Sequence, residues 1–516
     1  MLAWEDVVAT WRLGRRLPGF LGRRLTAEAA HRIAARWRVE REAAWLALVH
    51  EGIYRNPASP YLPLLRAAGC EQGDLEGMVR RDGIERVLAS LAGHGVYLSV
   101  DEYKGRVPAV RGGVRVEITP LALRTPGVVA CLLSQSGGSR GARTPIPLDL
   151  TFLRDQATAL RLYLDAVGGA GWRHAVWSGP GGAVAASLTL VSAGTRLERW
   201  FAQPELLPTG VHPRYRWGGR FLRWGSWLRA SGLPAYTEAP LEDPLPVVRW
   251  MADVLRGGGT PSLFGYASAG VRLAHAAAEA GVDLRGARIE MSGEPLTPAR
   301  LAVIRRSGAD ALVRYGSAET GPIGYGCLSP GAPDDIHVVS DQYAVIQRDE
   351  PAPPAVAPGE LLVTSLRPST PFLFLNVSLG DRAILTVRAC GCPPARLGWS
   401  PHLHTVLSRE KAEAGSLRLE PSALARVLEE TLPARFGGVP THYQLVAERP
   451  ARGPARLRLL VHPAAGAASL SDAAAAFREF LGHPGSLAEL DVSAERRPPF
   501  RTPSGKVLHL HVEPAA

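Results

Sequence analysis

Apolar positions recur near every 3.6 residues through the first hundred, with Ile33, Trp37, Ala44, Trp45 and Leu48 on one face. That spacing predicts a helical N-terminal segment over residues 1 to about 100, built for packing. From Val114 the period shortens. Runs at Val114 to Ile118 and Val128 to Leu133 read as strands, and Leu153 to Val167 reads as a helix. Helix Gly270 to Ala280, strand Ala287 to Met291, helix Thr297 to Ser307 and strand Ala311 to Arg314 continue the alternation, with Thr297 and Pro298 as start signals. Such alternation predicts α/β layers around a largely parallel sheet.

A proline-rich stretch, Glu350 to Pro358, precedes an apolar run from Glu360 to Leu366 and reads as an exposed connection to a strand. After Arg409 the pattern changes to a compact α+β unit. Tyr443 to Ala447 and Arg456 to Val461 read as a hairpin, and Ser471 reads as the cap of a helix over Asp472 to Leu481. A turn at Thr502 to Gly505 then leads to Lys506 and a last strand. The expected division is therefore a large domain, 1–409, and a small mobile domain, 410–516, with a hinge near 410.

Composition narrows the class. The chain has 516 residues, 46% hydrophobic and 21% charged, which suits a globular enzyme and excludes a fibrous or disordered chain. The longest uncharged run, Ala175 to Thr195, could span a bilayer by length, but Gly179, Pro180, Gly181 and Gly182 break it. No secretory signal is visible, and five cysteines are too few for a disulfide scaffold, so a soluble cytoplasmic protein with no membrane partner is expected. The net charge of +11 comes with arginines crowded from Arg12 to Arg41. Glu28, Glu40 and Glu42 interleave with them, as on a solvated helix face, and no aromatic-basic motif for nucleic acid accompanies them.

Only three of the 59 basic residues are lysines: Lys104, Lys411 and Lys506. In so arginine-rich a chain, a lysine marks a place where a compact, rotatable ammonium cannot be replaced by a planar fork.

Three segments carry chemistry. Ser134-Gln135-Ser136-Gly137-Gly138-Ser139-Arg140-Gly141-Ala142-Arg143-Thr144 follows an apolar run, and its glycines, hydroxyls and arginines suit a triphosphate. Alone it reads equally as a plain loop. Ser292-Gly293-Glu294-Pro295 and Tyr315-Gly316-Ser317-Ala318-Glu319-Thr320-Gly321 each follow a predicted strand, at the usual ligand edge of an α/β sheet. Separately, Cys327, His337, Cys390 and Cys392 form a Cys₃His set of the kind that closes a tetrahedral zinc site. Read without a metal, they are small hydrophobes and a histidine.

With these motifs in order, the chain from about residue 100 onward resembles the adenylate-forming superfamily of acyl-CoA ligases, adenylation domains and luciferases, and looks closest to its phenylacetate-CoA ligase-like branch. The resemblance implies an ATP-dependent ligase that converts a small carboxylic acid to an acyl-adenylate and passes it to CoA. A carrier-protein thiol or an amine are alternative acceptors, and a non-catalytic nucleotide-binding scaffold is the rival of another class. It implies that Ser136, Gly137, Gly138, Ser139, Arg140 and Gly141 wrap phosphate. Tyr315 would stack on adenine beside Gly293, Glu294 and Gly316, while Ser317 or Thr320 would face the α-phosphate. Asp381 and Arg409 would hold the ribose, Glu319 Mg²⁺, and Lys411 the hinge. Lys506 would be the catalytic lysine of the mobile domain. Cysteines and a histidine at similar places in that branch look like a structural zinc site. The acyl pocket would lie near Phe264, Tyr266 and Ser268; the two aromatics read equally as core residues.

The chain departs from the family at several points. The glycine-rich segment has Arg143 or Thr144 instead of a terminal lysine, Ala318 stands in a hydroxyl slot, and Phe374 to Ser378 lacks the usual Arg-Tyr pair. Lys104 receives no role beyond a salt bridge at the entrance to the large domain.

Overall fold

The computed structural model describes residues 4–135, 144–203, 233–234, 236–348, 356–408, 412–414, 417–448, 456–466, 469–481, 492–502 and 505–513. The N-terminal segment is helical, as its periodicity predicts, but the apolar face is divided. Thr26 caps the helix Ala27–Val39 through its side chain, and Glu40 ends it before Arg41–Val49 begins. Trp45 and Leu48 then join a core with the Val377–Val387 strand, while Ala30 and Ala34 pack with the helix Leu150–Ala166. Ile33 and Ala44 are only half-buried.

A mixed sheet of twelve strands organises the chain among the described residues. One half is parallel, in the order Asp310–Ser317, Arg288–Ser292, Pro261–Tyr266, Arg173–Ser178, Arg196–Ala202 and Tyr236–Glu238. Their helical crossovers produce the alternation seen in the sequence. The other half is antiparallel: Gly321–Gly326, Ile336–Val338, Pro401–Ser408, Val377–Val387, Glu360–Ser365 and Tyr343–Gln347. The expected parallel sheet is thus half of the whole. Within the antiparallel half, the apolar run expected at Glu360 to Leu366 is the strand Glu360–Ser365, buried at every position.

The uncharged run from Ala175 is the strand Arg173–Ser178 followed by the helix Pro180–Ser192. No described helix is long and apolar enough to cross a membrane. The run from Val128 forms a strand only at Leu132–Gln135, because Asp149 takes the Val129 N–H at 3.2 Å ahead of any ladder.

Residues after 411 form a four-stranded sheet in the order Val492–Arg496, Arg456–Val461, Tyr443–Glu448, Leu510–Glu513. The predicted hairpin strands are its antiparallel centre, and the helix Leu470–Leu481 covers a face through Ala473, Ala476 and Phe477. Ser469, not Ser471, bonds the first turn of this helix: its Oγ accepts from Asp472 N at 3.3 Å. This unit has its own apolar cluster, from Ala412 to Leu510.

Candidate active site

Three neighbouring parallel strands end together. The register pairs Tyr266 with Ser292 and Met291 with Val313, so the segments after Tyr266, Ser292 and Tyr315 lie side by side at carboxyl ends. Here the sheet changes from parallel to antiparallel, the position where open α/β sheets leave a crevice for ligands. Gly293 turns the chain with φ 76°, and a Cβ there would sit 2.7 Å from Lys506 Nζ. The positive φ favours glycine, and any side chain there would push Lys506 Nζ aside. Glu294 follows, and its Oε2 accepts from Ser268 N at 2.8 Å and Ser268 Oγ at 2.7 Å. Its Oε1 is buried without a hydrogen-bond partner among the described residues.

The turn between Asp310–Ser317 and Gly321–Gly326 is as tightly specified. A Cβ on Gly316 would fall 2.0 Å from Gly321 O. Ser317 Oγ accepts from Glu319 N at 3.2 Å and Thr320 N at 3.3 Å, and Thr320 Oγ1 accepts from Ser317 N at 3.1 Å. The two hydroxyls predicted to face phosphate thus hold the turn that presents Glu319. Across the crevice, Tyr315 Oη donates to Asp381 Oδ2 at 3.0 Å. Burial first, and the Asp381 carboxylate second, push the Tyr315 phenol well above its ordinary range, so it stays a donor.

Lys506 enters from the C-terminal unit. Gly505 (φ 87°) and a backbone bond from Thr502 N to Lys506 O at 2.9 Å shape its turn. Its Nζ lies 4.8 Å from the Tyr266 ring centroid. Burial lowers its proton affinity, while Glu294, Asp381 and Glu319 oppose the loss of charge. One ammonium therefore faces three carboxylates from three elements. A second lysine, singled out by composition and expected only in a salt bridge, joins it: Lys104 Nζ reaches Glu319 Oε1 at 2.9 Å, with Tyr103 Oη at 3.4 Å from the same oxygen.

The seam beside the crevice is ionic. Arg300 Nε meets Glu429 Oε1 at 2.8 Å, the two side chains 3% and 1% exposed. His509 Nε2 lies 2.5 Å from the same oxygen, and Thr297 Oγ1 donates to Oε2. Burial works against ionisation of Glu429, but Arg300 and His509 outweigh it and hold the carboxyl at about 2. No local motif marks Arg300, Glu429 or His509, because their partners lie on elements far apart in sequence.

Phe264, predicted for an acyl pocket, faces the guanidinium of Arg314, 4.8 Å from the ring centroid. Arg314 in turn pairs with buried Glu290 at 2.8 Å. Phe264 is half-buried against that guanidinium, while Tyr266 and Ser268 border the crevice. Ser136, Gly137, Gly138, Ser139, Arg140, Gly141, Arg409 and Lys411 lie outside the described residues.

Away from the crevice the four predicted metal ligands do converge. Cys327, His337, Cys390 and Cys392 offer ligand atoms all within 4.8 Å of one another. His337 Nε2 lies 2.9 Å from Cys392 Sγ and 3.6 Å from Cys390 Sγ, and Cys327 Sγ lies 3.8 Å from Cys392 Sγ. Ligands around a tetrahedral ion stand about 3.5–3.8 Å apart, so the set fits one with small adjustments. His337 Nδ1, 2.6 Å from Trp399 O, carries the ring proton, which leaves Nε2 free for a cation.

No protein-family profile and no curated protein matches the chain. Solved structures similar to it include a 2-hydroxyisobutyryl-CoA ligase in complex with 2-HIB-AMP and CoA, at 17% identity over 91% of this chain and 90% of that one, TM-score 0.46. An O-succinylbenzoate coenzyme A synthetase from Bacillus subtilis with ATP and magnesium shares 13% identity over 74% and 69%, TM-score 0.44. An amide bond synthetase from Marinactinospora thermotolerans shares 17% over 92% and 93%, TM-score 0.42.

Proposed function

We propose that this chain is an ATP-dependent carboxylic acid ligase, which forms an acyl-adenylate and transfers the acyl group to a thiol, with coenzyme A as acceptor. The observation that carries the reading is the buried ammonium of Lys506. It is delivered from a separate sheet into a crevice of three carboxylates, beside glycines that leave room for a ligand. A cation so desolvated strongly attracts a polyanion that arrives with its own counter-ion.

In the first step a carboxylate oxygen attacks the α-phosphorus of ATP. A new P–O bond forms, the α–β bridging bond breaks, and pyrophosphate leaves with the electron pair. Lys506 stabilises the charge that concentrates on the α-phosphate and the incoming carboxylate, while the crevice aligns the two reactants. Tyr315 offers a face to adenine, and its bond to Asp381 orients the carboxylate toward the ribose hydroxyls. Glu294 Oε1, buried 3.9 Å from Arg300 Nη1 but without a hydrogen bond, suits a ligand N–H. Glu319 is the hard oxygen donor for Mg²⁺, and the ion competes for this carboxylate with Lys104 and Tyr103, which engage its Oε1. The ion, when bound, neutralises phosphate charge. In the second step a thiolate attacks the carbonyl carbon, the C–O bond to phosphate breaks, and AMP departs. A hinge at Lys411, outside the described residues, would withdraw Lys506 for that step.

We assign zinc to Cys327, His337, Cys390 and Cys392, in a structural role, because four protein donors leave no open position. Pyrophosphate release with Mg-ATP and a panel of carboxylic acids tests the ligase reading. Acid-dependent release supports it, CoA-dependent thioester identifies the acceptor, and no release with any acid favours a scaffold.

A further inference from the structure

Lys104 joins the crevice from the N-terminal segment. It ends the short helix Val100–Tyr103, which a capping box of Ser99 and Glu102 starts, with Glu102 Oε2 accepting from Ser99 N at 2.8 Å. Arg111 clamps Glu102 through two bonds of 2.8 Å. The backbone just before is tied to the strand that bears Asp381: Leu98 N donates to Asn376 O at 3.0 Å, and Ser378 N donates to Leu98 O at 2.8 Å. Lys104 is thus set by the same framework that sets the crevice. Its Nζ stands 4.7 Å from the Tyr103 ring centroid, and its side chain is 20% exposed.

Two ammonium groups, Lys104 and Lys506, share Glu319. Lys506 has two further carboxylates, Glu294 and Asp381, and Lys104 has Glu319 at 2.9 Å. When Glu319 turns toward a divalent ion, the ammonium of Lys104 loses its partner while its backbone stays fixed. A desolvated, unpaired cation at that position takes an anionic oxygen. The glycine-rich segment lacks the closing lysine, and this chain keeps a lysine at 104 although 56 of its 59 basic residues are arginine.

We propose that Lys104 is a binding residue for the β,γ-phosphate end of a nucleoside triphosphate, exchanging Glu319 for phosphate oxygens as the nucleotide enters. The inference rests on the nucleotide reading of this crevice. It goes further by assigning the pyrophosphate leaving group to a lysine of the N-terminal segment.

Calorimetric titration of the full chain with ATP and with AMP, both with Mg²⁺, tests it in wild type, Lys104→Gln and Lys104→Arg. Loss of one charged contact weakens ATP binding by roughly ten- to a hundredfold in Lys104→Gln, with AMP within about twofold of wild type. Lys104→Arg recovers part of the ATP affinity. A purely structural ion pair with Glu319 would lower ATP and AMP binding together, and that outcome, or unchanged ATP affinity in Lys104→Gln, overturns the proposal. Wild type that binds neither nucleotide refutes the nucleotide reading itself, and the Lys104 proposal with it.

Discussion

Arg300 and Glu429 meet at 2.8 Å, almost wholly buried, where the C-terminal unit closes over the carboxyl ends of the parallel strands. Their pairing ties the C-terminal unit to the helix Pro298–Arg306, and His509, three residues after Lys506, bonds the same carboxylate. A buried pair need not stabilise relative to apolar residues, but removing one member leaves an uncompensated charge.

Glu429→Ala should therefore lower stability by about 3–5 kcal/mol, read by thermal or urea unfolding, and slow adenylate formation. The pH sign follows from a folded value of about 2 against an ordinary 4.5. This stabilisation is present above pH 4.5 and is lost as pH falls toward 2. In Glu429→Gln the acid-side loss of stability over that window should be smaller than in wild type. An identical acid limb for the two proteins would count against the pair's role.

Much of this framework could be read from the chain. Strand-helix alternation from Leu263 to Arg314 gave two of the six parallel strands, Arg288–Ser292 and Asp310–Ser317, and the segments after Ser292 and Tyr315 fell at strand ends, while Phe264, expected in a loop, lies in the strand Pro261–Tyr266. Ionic contacts across the seam were not legible. Arg300 reads as one more basic residue on a helix, and Glu429 finds it across 129 positions. Lys104 was marked by composition alone; its partner Glu319 is 215 residues away. Phe264 could be read from sequence as either a pocket or a core aromatic, and it is half-buried against Arg314.

Asp381→Ala removes the acceptor of the Tyr315 hydroxyl as well as the proposed ribose contact. Charge-assisted bonds of about 1.5–3 kcal/mol predict a ten- to hundredfold loss of ATP affinity. Affinity for the carboxylic acid should change little. Titration of both ligands against the variant checks this, and equal weakening of both would argue for general collapse of the crevice.

Protein purified without added metal should carry close to one zinc per chain by elemental analysis, and Cys392→Ser should carry much less. Cys392 is the cluster's centre: its sulfur lies 2.9 Å from His337, 3.2 Å from Cys390 and 3.8 Å from Cys327. Loss of the ion should lower the unfolding midpoint without changing which acid is activated. A wild-type chain without zinc, or a variant that retains it in full, would contradict the assignment.

The most direct test separates the two half-reactions in Lys506→Ala. Adenylate formation is read as pyrophosphate release, and acyl transfer as thioester formed from a supplied acyl-adenylate and CoA. Loss of one preorganised donor should slow the first by about 10²–10³-fold. The second should stay near the wild-type rate, because in the proposed mechanism Lys506 is withdrawn from the crevice before the thiolate attacks. Pyrophosphate release at the wild-type rate in Lys506→Ala would contradict the account.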